Sequence, residues 1–363
     1  MALRKLYLKN FRCFDALELD TSPGSCLFWG SNGCGKSSLI EAIYILSTAK
    51  SFRTSIIDSS IQRNKDYFSL IGITDNSKKL EINKFRNKPI EIKINDKKTN
   101  TLDLFNTTPL LSIDHNTYFY NDSNPEHRRK HLDRALFSVF KQYSENLLKF
   151  YHALRSRNLA LKKSSPRESQ AWNPALSELG NKLTQQRKEF FTQSKINFNE
   201  TLSNSLHPKA SLYQGIEIQL NPGYESENYI ETLESNISQD LFKKITTQGP
   251  HRADIKFLFD GRQLKHSFSR GEQKVISILW SLSYAQSISQ LSSSKPIITL
   301  DDLGSEVDNQ HLEFLYPLFN KFENQLIFSN INNLFDSKIE TPFNNFKMFH
   351  VEQLNQDAKE KKS

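Results

Sequence analysis

Cysteines and long apolar runs are scarce in this 363-residue chain. Its three cysteines, Cys13, Cys26 and Cys34, form no C-x-x-C pair. A disulfide framework or a structural zinc site needs paired or closely spaced cysteines, so we expect neither. No stretch of apolar residues is long enough to span a bilayer, and the first residues lack an apolar signal core. By elimination, these absences predict a cytoplasmic protein without a membrane partner.

The charge balance is basic, with 48 Lys and Arg against 40 Asp and Glu, a formal net charge of +8. An excess of cations favours an anionic partner, either nucleic acid or a membrane surface, and composition does not choose between them. A hydrophobic content of 37% allows a sizeable core. At roughly 150 residues per domain, the length predicts about two domains.

The hydrophobic pattern changes along the chain. Residues 3–20 and 66–96 alternate as half-buried strands do, and a short apolar run at 26–29 predicts a buried strand. Residues 125–207 have apolar positions at helical spacing, with a polar break at 162–173. This pattern predicts two antiparallel helices that form an arm. Short elements follow after 245, including an apolar strand at 296–300.

The strongest motif is Gly30-Ser31-Asn32-Gly33-Cys34-Gly35-Lys36-Ser37, which matches G-x-x-x-x-G-K-[ST] between a predicted strand and a predicted helix. Glycines let backbone N–H groups curl around phosphates, and the following helix presents its positive dipole end. Lys36 is predicted to reach the β- and γ-phosphates, and Ser37 to bind Mg²⁺. We interpret Cys34 as a small tolerated residue, and a redox role stays open. The predicted ATP-binding residues of this loop are Gly30, Ser31, Asn32, Gly33, Cys34, Gly35, Lys36, Ser37 and Ser38.

A phosphate loop of this kind needs a carboxylate at the end of a second strand. Asp301 and Asp302 follow the apolar run that ends at Leu300. Phosphoryl transfer depends on positioning and charge more than on covalent help. We therefore predict that Asp301 holds Mg²⁺ together with Ser37, and that Asp302 orients or deprotonates the attacking water.

A second anion-binding segment precedes this strand. The sequence Phe268-Ser269-Arg270-Gly271-Glu272-Gln273-Lys274 resembles the ABC signature in the variant found in SMC-type heads. A serine hydroxyl, a glycine amide and a helix N-terminus together can bind an anion. The resemblance implies that this cradle contacts the nucleotide of a partner subunit. It adds Ser269, Arg270, Gly271, Glu272 and Gln273, and Asp308 of the D-loop, to the predicted ATP-binding residues.

Three further segments carry a resemblance to the RecF family. They are Asn10-Phe11-Arg12, the run from Pro125 to Asp133 with its paired arginines, and Gly249-Pro250-His251-Arg252. The resemblance extends from Leu3 to about Phe328. The chain departs from related patterns at Arg270, where transporters have glycine, and at Ala253, where RecF proteins usually carry an acid. The transporters' histidine switch has no counterpart at 328–330.

The resemblance implies an α/β P-loop head of the ABC/SMC type, with a β-lobe and an inserted helical arm. The predicted divisions are 1–120 for the first half of the head, 121–245 for the arm, 246–350 for the second half and 351–363 for a polar tail. The resemblance to the RecF family also implies a nucleoid-associated, ATP-dependent homodimer that clamps DNA near single-strand gaps. That clamp would hydrolyse ATP weakly under DNA stimulation and help RecO and RecR to load RecA in repair and replication-fork recovery.

Two basic clusters are candidates for phosphate contacts with DNA, which need Lys or Arg and no base code. The first comprises Arg128, Arg129 and Lys130. The second lies along the predicted arm and comprises Arg155, Arg157, Lys162, Lys163 and Arg167. A solvated helix face explains the second cluster equally well, so both interpretations stay open.

Two other functions share parts of this cassette. An ABC transporter ATPase subunit has the same motifs, but a shorter insertion and usually a histidine switch. A nuclease-linked ATPase needs an added acidic metal-binding domain, for which few residues remain after the head. The predicted arm favours the DNA-clamp interpretation over both alternatives.

Overall fold

The chain was examined as a computed structural model that describes residues 2–21, 24–113, 123–305, 307–331 and 346–354. It divides into two compact units. The head unit comprises Met1–Phe119, His207–Ala210 and Arg270–Ser363, and the arm unit comprises Tyr120–Leu206 and Ser211–Ser269. None of the described helices has the length and apolar content that crossing a membrane requires.

The described elements are mostly strands up to Ile113 and mostly helices from Pro125 to Tyr213, and strands and helices are interspersed after that. The strands are β1 Leu3–Phe11, β2 Phe14–Asp20, β3 Ser25–Trp29, β4 Tyr67–Thr74, β5 Lys79–Phe85, β6 Glu91–Ile94, β7 Lys97–Lys98, β8 Leu110–Ile113, β9 Ile216–Asn221, β10 Asp254–Phe259, β11 Arg262–Gln263, β12 Ile297–Leu300, β13 Leu326–Asn330 and β14 Phe346–His350. The helices are α1 Lys36–Thr48, α2 Thr101–Thr107, α3 Pro125–Val139, α4 Tyr143–Lys162, α5 Pro166–Gln170, α6 Asn173–Ser203, α7 Ala210–Tyr213, α8 Tyr229–Ser235, α9 Ile237–Lys243, α10 Arg270–Leu291 and α11 Asn309–Asn320.

The β-lobe of the head unit is an antiparallel sheet with strand order β2-β1-β4-β5-β6-β7. In β4 every second residue is buried, because alternate side chains of a strand point to opposite faces. Phe68 and Leu70 lie on the buried face, and Phe68 packs edge-on against Phe11 with ring centroids 5.2 Å apart. The alternating pattern at 66–96 therefore corresponds to the half-buried strands predicted there.

A second, parallel sheet in the head unit has the order β14-β3-β13-β12-β8. Its central strands read as continuous apolar runs, because a parallel sheet is covered on both faces. Helix α1 packs against strands of both head sheets, and all of its residues except Ser37 are buried. Since the strands are parallel, the loops after β3, β12 and β13 leave from one edge of the sheet.

The arm unit contains the predicted helices. Helices α4 and α6 pack along each other, and the polar break predicted at 162–173 contains the short helix α5. The same unit also includes a sheet of β11-β10-β9, in which Asp254 pairs with Asn221. This pairing explains why the arm unit extends to Ser269, whereas the sequence placed the second half of the head from 246.

Buried ion pairs connect distant segments of the arm unit. The side chains of Arg157 and Asp240 are 0% and 1% exposed, and Arg157 Nη1 lies 2.7 Å from Asp240 Oδ2. Arg157 also donates to Thr246 Oγ1 at 2.8 Å and to Asn173 Oδ1 at 3.0 Å. The other carboxylate oxygen of Asp240 accepts from the backbone N–H of Thr247 at 2.9 Å. These contacts satisfy nearly every polar group of the pair, which is what makes burial of two charges tolerable.

Substituting Asp240→Ala should destabilise the arm unit by about 3–5 kcal/mol, because it leaves the Arg157 guanidinium buried without its counter-charge. The measurement is urea unfolding followed by the fluorescence of Trp172, which lies in the same unit. Glu178→Ala is the control, because it removes the exposed pair with Lys182 and should cost no more than about 0.5 kcal/mol. Equal losses in the two variants would contradict this assignment.

Candidate functional site

The loop between β3 and α1 is curled tightly around the end of the Lys36 side chain. Lys36 Nζ donates to the carbonyls of Gly30 and Ser31, both at 2.7 Å. Gly35 has a φ of 116°, and a Cβ there would lie 2.8 Å from Cys13 Sγ and from the Phe14 ring. Only glycine fits this position, for both conformational and steric reasons. The loop therefore has the curled geometry that the phosphate-loop motif predicts.

An open cleft of about 610 Å³ lies in front of this loop in the head unit. Four cationic side chains and a single carboxylate line it. The lining residues that define its chemistry are Arg12, Lys36, Arg53, Arg63, Asp302, Asn32, Gly33, Gly35, Ser37 and Ser38. Such an excess of positive charge around a cleft favours a polyanionic ligand. A second head-unit cleft of about 500 Å³, lined by Arg4, Lys78 and Lys295, contains none of the motif residues.

The acidic turn after β12 is held by the neighbouring strand β13. The hydroxyl of Ser329 donates to Asp301 Oδ1 at 2.6 Å and accepts from the backbone N–H of Asp302 at 2.8 Å. Asn330 Oδ1 accepts from the backbone N–H of Gly304 at 3.1 Å. Sequence reasoning missed Ser329 and Asn330, since it compared 328–330 only with the transporters' histidine switch. Their position at the end of a strand beside β12 was the signal that could have identified them.

Asp302 has two features that suit a reacting group. Its φ is 54°, in the left-handed region that a non-glycine residue seldom occupies. Its Oδ1 atom is buried and accepts no hydrogen bond from any described residue. A buried carboxylate oxygen without a partner is costly unless a ligand, water or ion satisfies it. Asp302 therefore lines the cleft and has one carboxylate oxygen with unused hydrogen-bonding capacity.

Lys274 ties the start of α10 to the acidic turn. Its side chain is buried, and Nζ donates to the carbonyls of Asp302 at 2.7 Å and Ser305 at 2.6 Å. Sequence reasoning included Lys274 in the signature segment without giving it a role. The position of α10 is therefore coupled to the backbone that carries Asp302.

The other predicted signature residues are distributed as follows. Ser269 is the last residue of the arm unit, and Arg270, Gly271, Glu272 and Gln273 form the first turn of α10. Gln273 is buried and Arg270 is exposed. None of these four head-unit residues lines the cleft at Lys36 among the residues that the structure describes. Their predicted nucleotide contacts stay a prediction.

Asp308, predicted to contact nucleotide through the D-loop, caps helix α11. Its Oδ1 accepts from the backbone N–H of His311 at 2.9 Å and lies 2.8 Å from His311 Nδ1. The backbone hydrogen bond is the main cause that lowers the pKa of this carboxyl. The side chain is still 61% exposed, and Glu306 of the same loop lies outside the described residues.

Glu41 is a further site residue that sequence reasoning missed. It lies fully buried on α1 and accepts two hydrogen bonds from Arg12, at 2.8 and 2.6 Å. The Ser51 hydroxyl donates to it at 2.5 Å, and Arg53 Nη1 lies 3.6 Å away. A fork of two parallel hydrogen bonds fixes a guanidinium in orientation as well as position. Glu41 thus holds Arg12 at the rim of the cleft, with Arg53 beside it.

The first basic cluster is mostly engaged within the arm unit. Arg128 is buried and donates from Nε and Nη2 to both Asp254 carboxylate oxygens, at 2.7 and 2.9 Å. Arg129 donates to the Ala253 carbonyl at 2.7 Å, and burial lowers its pKa. Lys130 is 67% exposed and pairs only with Glu126, one turn away. Of the three predicted DNA contacts, Lys130 is the one that the fold presents to solvent.

The second basic cluster is split by the fold. The prediction that Arg157 belongs to a DNA-contacting face is wrong, because its guanidinium is fully buried against Asp240. Arg155, Lys162, Lys163 and Arg167 are exposed. Their side chains have no ion pair with any residue of the described ranges.

The chain's last described segment also reaches the phosphate loop. Sequence reasoning predicted a polar tail from 351, yet Val351 is fully buried in the head core. Glu352 accepts hydrogen bonds from the backbone N–H of Ser31, at 2.8 Å, and from its hydroxyl. Val351 stands between His350 and Glu352, and one apolar residue in such a position shows no periodicity. The contact between Glu352 and Ser31 could therefore not be inferred from the sequence. The remainder of the predicted tail, 355–363, lies outside the described residues.

Comparison with known proteins agrees with this geometry. The family model described as RecF/RecN/SMC N terminal domain matches residues 2–354. The chain is 31% identical to the DNA replication and repair protein RecF of Pseudoalteromonas translucida, with 98% of the chain and 99% of the relative covered. It is 29% identical to the protein of the same name from Hahella chejuensis, with 97% and 98% covered.

A solved structure described as the recombination mediator protein RecF-ATPrS in RecFOR pathway has the same fold. Its TM-score is 0.78 at 24% identity, and the match covers 96% of each chain. The predicted fold class, a P-loop head of the ABC/SMC type, is thereby confirmed. Because a family model matches almost the whole chain and relatives match it over nearly their full length, the chain belongs to the RecF family.

Proposed function

We propose that the chain is an ATP-dependent DNA clamp of the RecF type that acts in recombinational repair and replication-fork recovery. The observation that supports it best is the cleft lined by both Lys36 and Asp302, together with three further cationic side chains. A nucleoside triphosphate supplies the negative charge that this cleft lacks. A carboxylate beside the phosphate loop supplies the group that orients an attacking water.

The chain's own residues divide the proposed reaction between binding and turnover. Lys36, released from the carbonyls of Gly30 and Ser31, neutralises the β- and γ-phosphates. Asp302 positions the attacking water and accepts its proton, for which its unpartnered Oδ1 atom is available. Ser329 and Lys274 keep the acidic turn in place during the reaction.

Mg²⁺ is the metal that this chemistry implies, and the residues fit it. Ser37 lines the cleft with its hydroxyl, and Asp301 adds a carboxylate from the turn that carries the unsatisfied Asp302 oxygen. Oxygen ligands of this kind, few in number and completed by phosphate and water, are what Mg²⁺ prefers. When bound, the ion offsets charge on the β- and γ-phosphates.

The signature segment supports a second proposal, that two heads share their sites. The cleft is lined by the phosphate loop and Asp302, while Arg270–Gln273 open a different helix of the head unit. We propose that Ser269 to Gln273 and Asp308 serve the nucleotide of a second copy, so that ATP joins two heads and hydrolysis releases them. RecO and RecR are the proposed partners, on the strength of the RecFOR pathway named for the similar structure.

A mixing experiment tests the shared site. Lys36→Met protein should fail to hold ATP but keep its signature segment, and Ser269→Arg protein should bind ATP but present a bulky cation where a hydroxyl is needed. Each variant alone should be inactive. Their mixture should regain part of the wild-type ATPase rate, because each heterodimer contains one intact composite site. That site combines the phosphate loop of the Ser269→Arg subunit with the signature segment of the Lys36→Met subunit.

The control for this experiment is each variant at twice its concentration, which should stay inactive. Two outcomes would contradict the shared site: full ATPase activity of Ser269→Arg alone, or wild-type activity strictly first order in protein. A shift from monomer to dimer on adding ATP, measured by light scattering, should accompany the wild-type activity.

The proposed DNA contacts are tested by salt dependence. Replacing Lys162, Lys163 and Arg167 together by alanine should flatten the log–log salt slope of duplex affinity by about 0.9 per lost phosphate contact. Lys130→Ala should flatten it by about the same single step. The control is the charge-matched removal of Lys93, Lys97 and Lys98 from the β-lobe. If the control changes the slope as much as the arm variant, or neither changes it, the arm cluster is a solvated face.

A further inference from the structure

The segment that contacts the phosphate loop is fixed on both sides of its contact. Strand β14 runs parallel to β3 and ends in register with it, His350 beside Trp29. The His350 ring stacks on the Trp29 ring with centroids 4.1 Å apart and planes at 17°. Val351, the next residue, is fully buried in the head core. Glu352 is therefore delivered to the first turn of the loop by a strand and a core anchor.

One oxygen of the Glu352 carboxylate accepts hydrogen bonds, and the other lies close to a histidine ring. Its Oε1 atom accepts from the backbone N–H of Ser31 at 2.8 Å and from the Ser31 hydroxyl. These two hydrogen bonds are the main causes that lower the pKa of Glu352. His350 Nε2 lies 2.6 Å from the other oxygen, Oε2. The histidine thus orients the carboxylate from the side opposite Ser31.

The glycine at the start of the loop fits around this carboxylate. Gly30 has a φ of 145°, and a Cβ at this position would lie 2.5 Å from Glu352 Oε2. Real side-chain contacts are never that short, so any other residue would force the carboxylate away. Gly30, the first glycine of the motif, thus allows the backbone to turn and also leaves room for the Glu352 carboxylate.

Glu352 and Lys36 bind the same turn of the loop through groups of opposite charge. Lys36 Nζ binds the carbonyl of Ser31, and Glu352 binds its N–H. If Lys36 turns towards phosphate, its bonds to Gly30 and Ser31 weaken, and the contacts of Glu352 with Ser31 remain, beside a longer backbone bond from the Cys34 N–H to the Ser31 carbonyl at 3.4 Å. A carboxylate so near a polyanion site also brings repulsion, which its hydrogen bonds must outweigh.

We propose that Glu352 is a positioning residue for ATP binding, a brace that holds the first turn of the phosphate loop while Lys36 engages the nucleotide. The inference rests on the proposed ATP-binding function and adds a residue from the C-terminal segment to that site. Glu352 touches Ser31 and not the reacting phosphates, so its loss should affect affinity for ATP and leave turnover at saturation almost unchanged.

The first experiment needs no nucleotide. Hydrogen exchange of the backbone amides at 30–33 is compared between the wild type, Glu352→Ala and Glu352→Gln. We expect exchange of the Ser31 amide to be about tenfold faster in Glu352→Ala, because its acceptor is gone. Glu352→Gln keeps a carbonyl acceptor and should fall between the two. If the Ser31 amide is equally protected in Glu352→Ala, the proposal that Glu352 holds this turn is wrong.

The second experiment measures ATP affinity and steady-state hydrolysis of the same variants. Glu352→Ala should raise the Kd for ATP about tenfold, which corresponds to 1.4 kcal/mol, and change kcat by less than about twofold. Glu352→Gln should recover part of the affinity. Ser31→Ala combined with Glu352→Ala should cost less than the sum of the two changes, because they remove one shared contact.

The control is Glu323→Ala, which removes another head-unit carboxylate, paired with Lys295, and should leave the Kd unchanged. Tighter ATP binding by Glu352→Ala would overturn the brace and assign the carboxylate as a competitor of phosphate. If the wild type binds no ATP, the proposed function fails, and the exchange experiment still decides whether Glu352 holds the turn.

Discussion

Everything in the candidate site depends on parallel strands that end at one edge of a sheet. Strand β13 lies between β3, which leads into the phosphate loop, and β12, which leads into the acidic turn. The Ser329 hydroxyl at the end of β13 binds both aspartates of that turn, through the Asp301 side chain and the Asp302 backbone. Segments distant in sequence thus meet around one cleft, and their register is fixed by the sheet hydrogen bonds and not by loop contacts.

Two carboxylates, the buried Glu41 and the partly exposed Glu352, then position groups at the cleft. Glu41 holds Arg12 from inside α1, and Glu352 holds the loop that Lys36 spans. In each contact a negative carboxylate lies next to a hydrogen-bond donor, the Arg12 guanidinium for Glu41 and the Ser31 backbone N–H for Glu352. That arrangement concentrates cationic groups at the cleft, which favours a polyanion as its ligand.

The sequence predicted the parts of this site that have strong local patterns. The phosphate loop is defined by residues with special backbone needs, and the acidic pair follows an unmistakable apolar strand. Ser329, Lys274 and Glu41 could not be found in this way, because a lone serine, lysine or glutamate in an apolar element has no local signal and gains its role only when strands pair. Two members of the charge clusters could not be placed for a related reason: Arg128 and Arg157 have the sequence pattern of surface cations, but Asp254 and Asp240, remote in sequence, pair with them in buried surroundings.

The central claim is that two residues of one cleft have separate roles. Lys36 serves nucleotide binding, and Asp302 serves hydrolysis. This claim is tested most directly by measuring ATP binding and hydrolysis together for Lys36→Met and Asp302→Asn. Lys36→Met should lose a charge-assisted contact of about 1.5–3 kcal/mol and with it most ATP affinity. Asp302→Asn should bind ATP as the wild type does and lose hydrolysis. Wild-type ATP affinity in Lys36→Met, or wild-type hydrolysis in Asp302→Asn, would contradict the account.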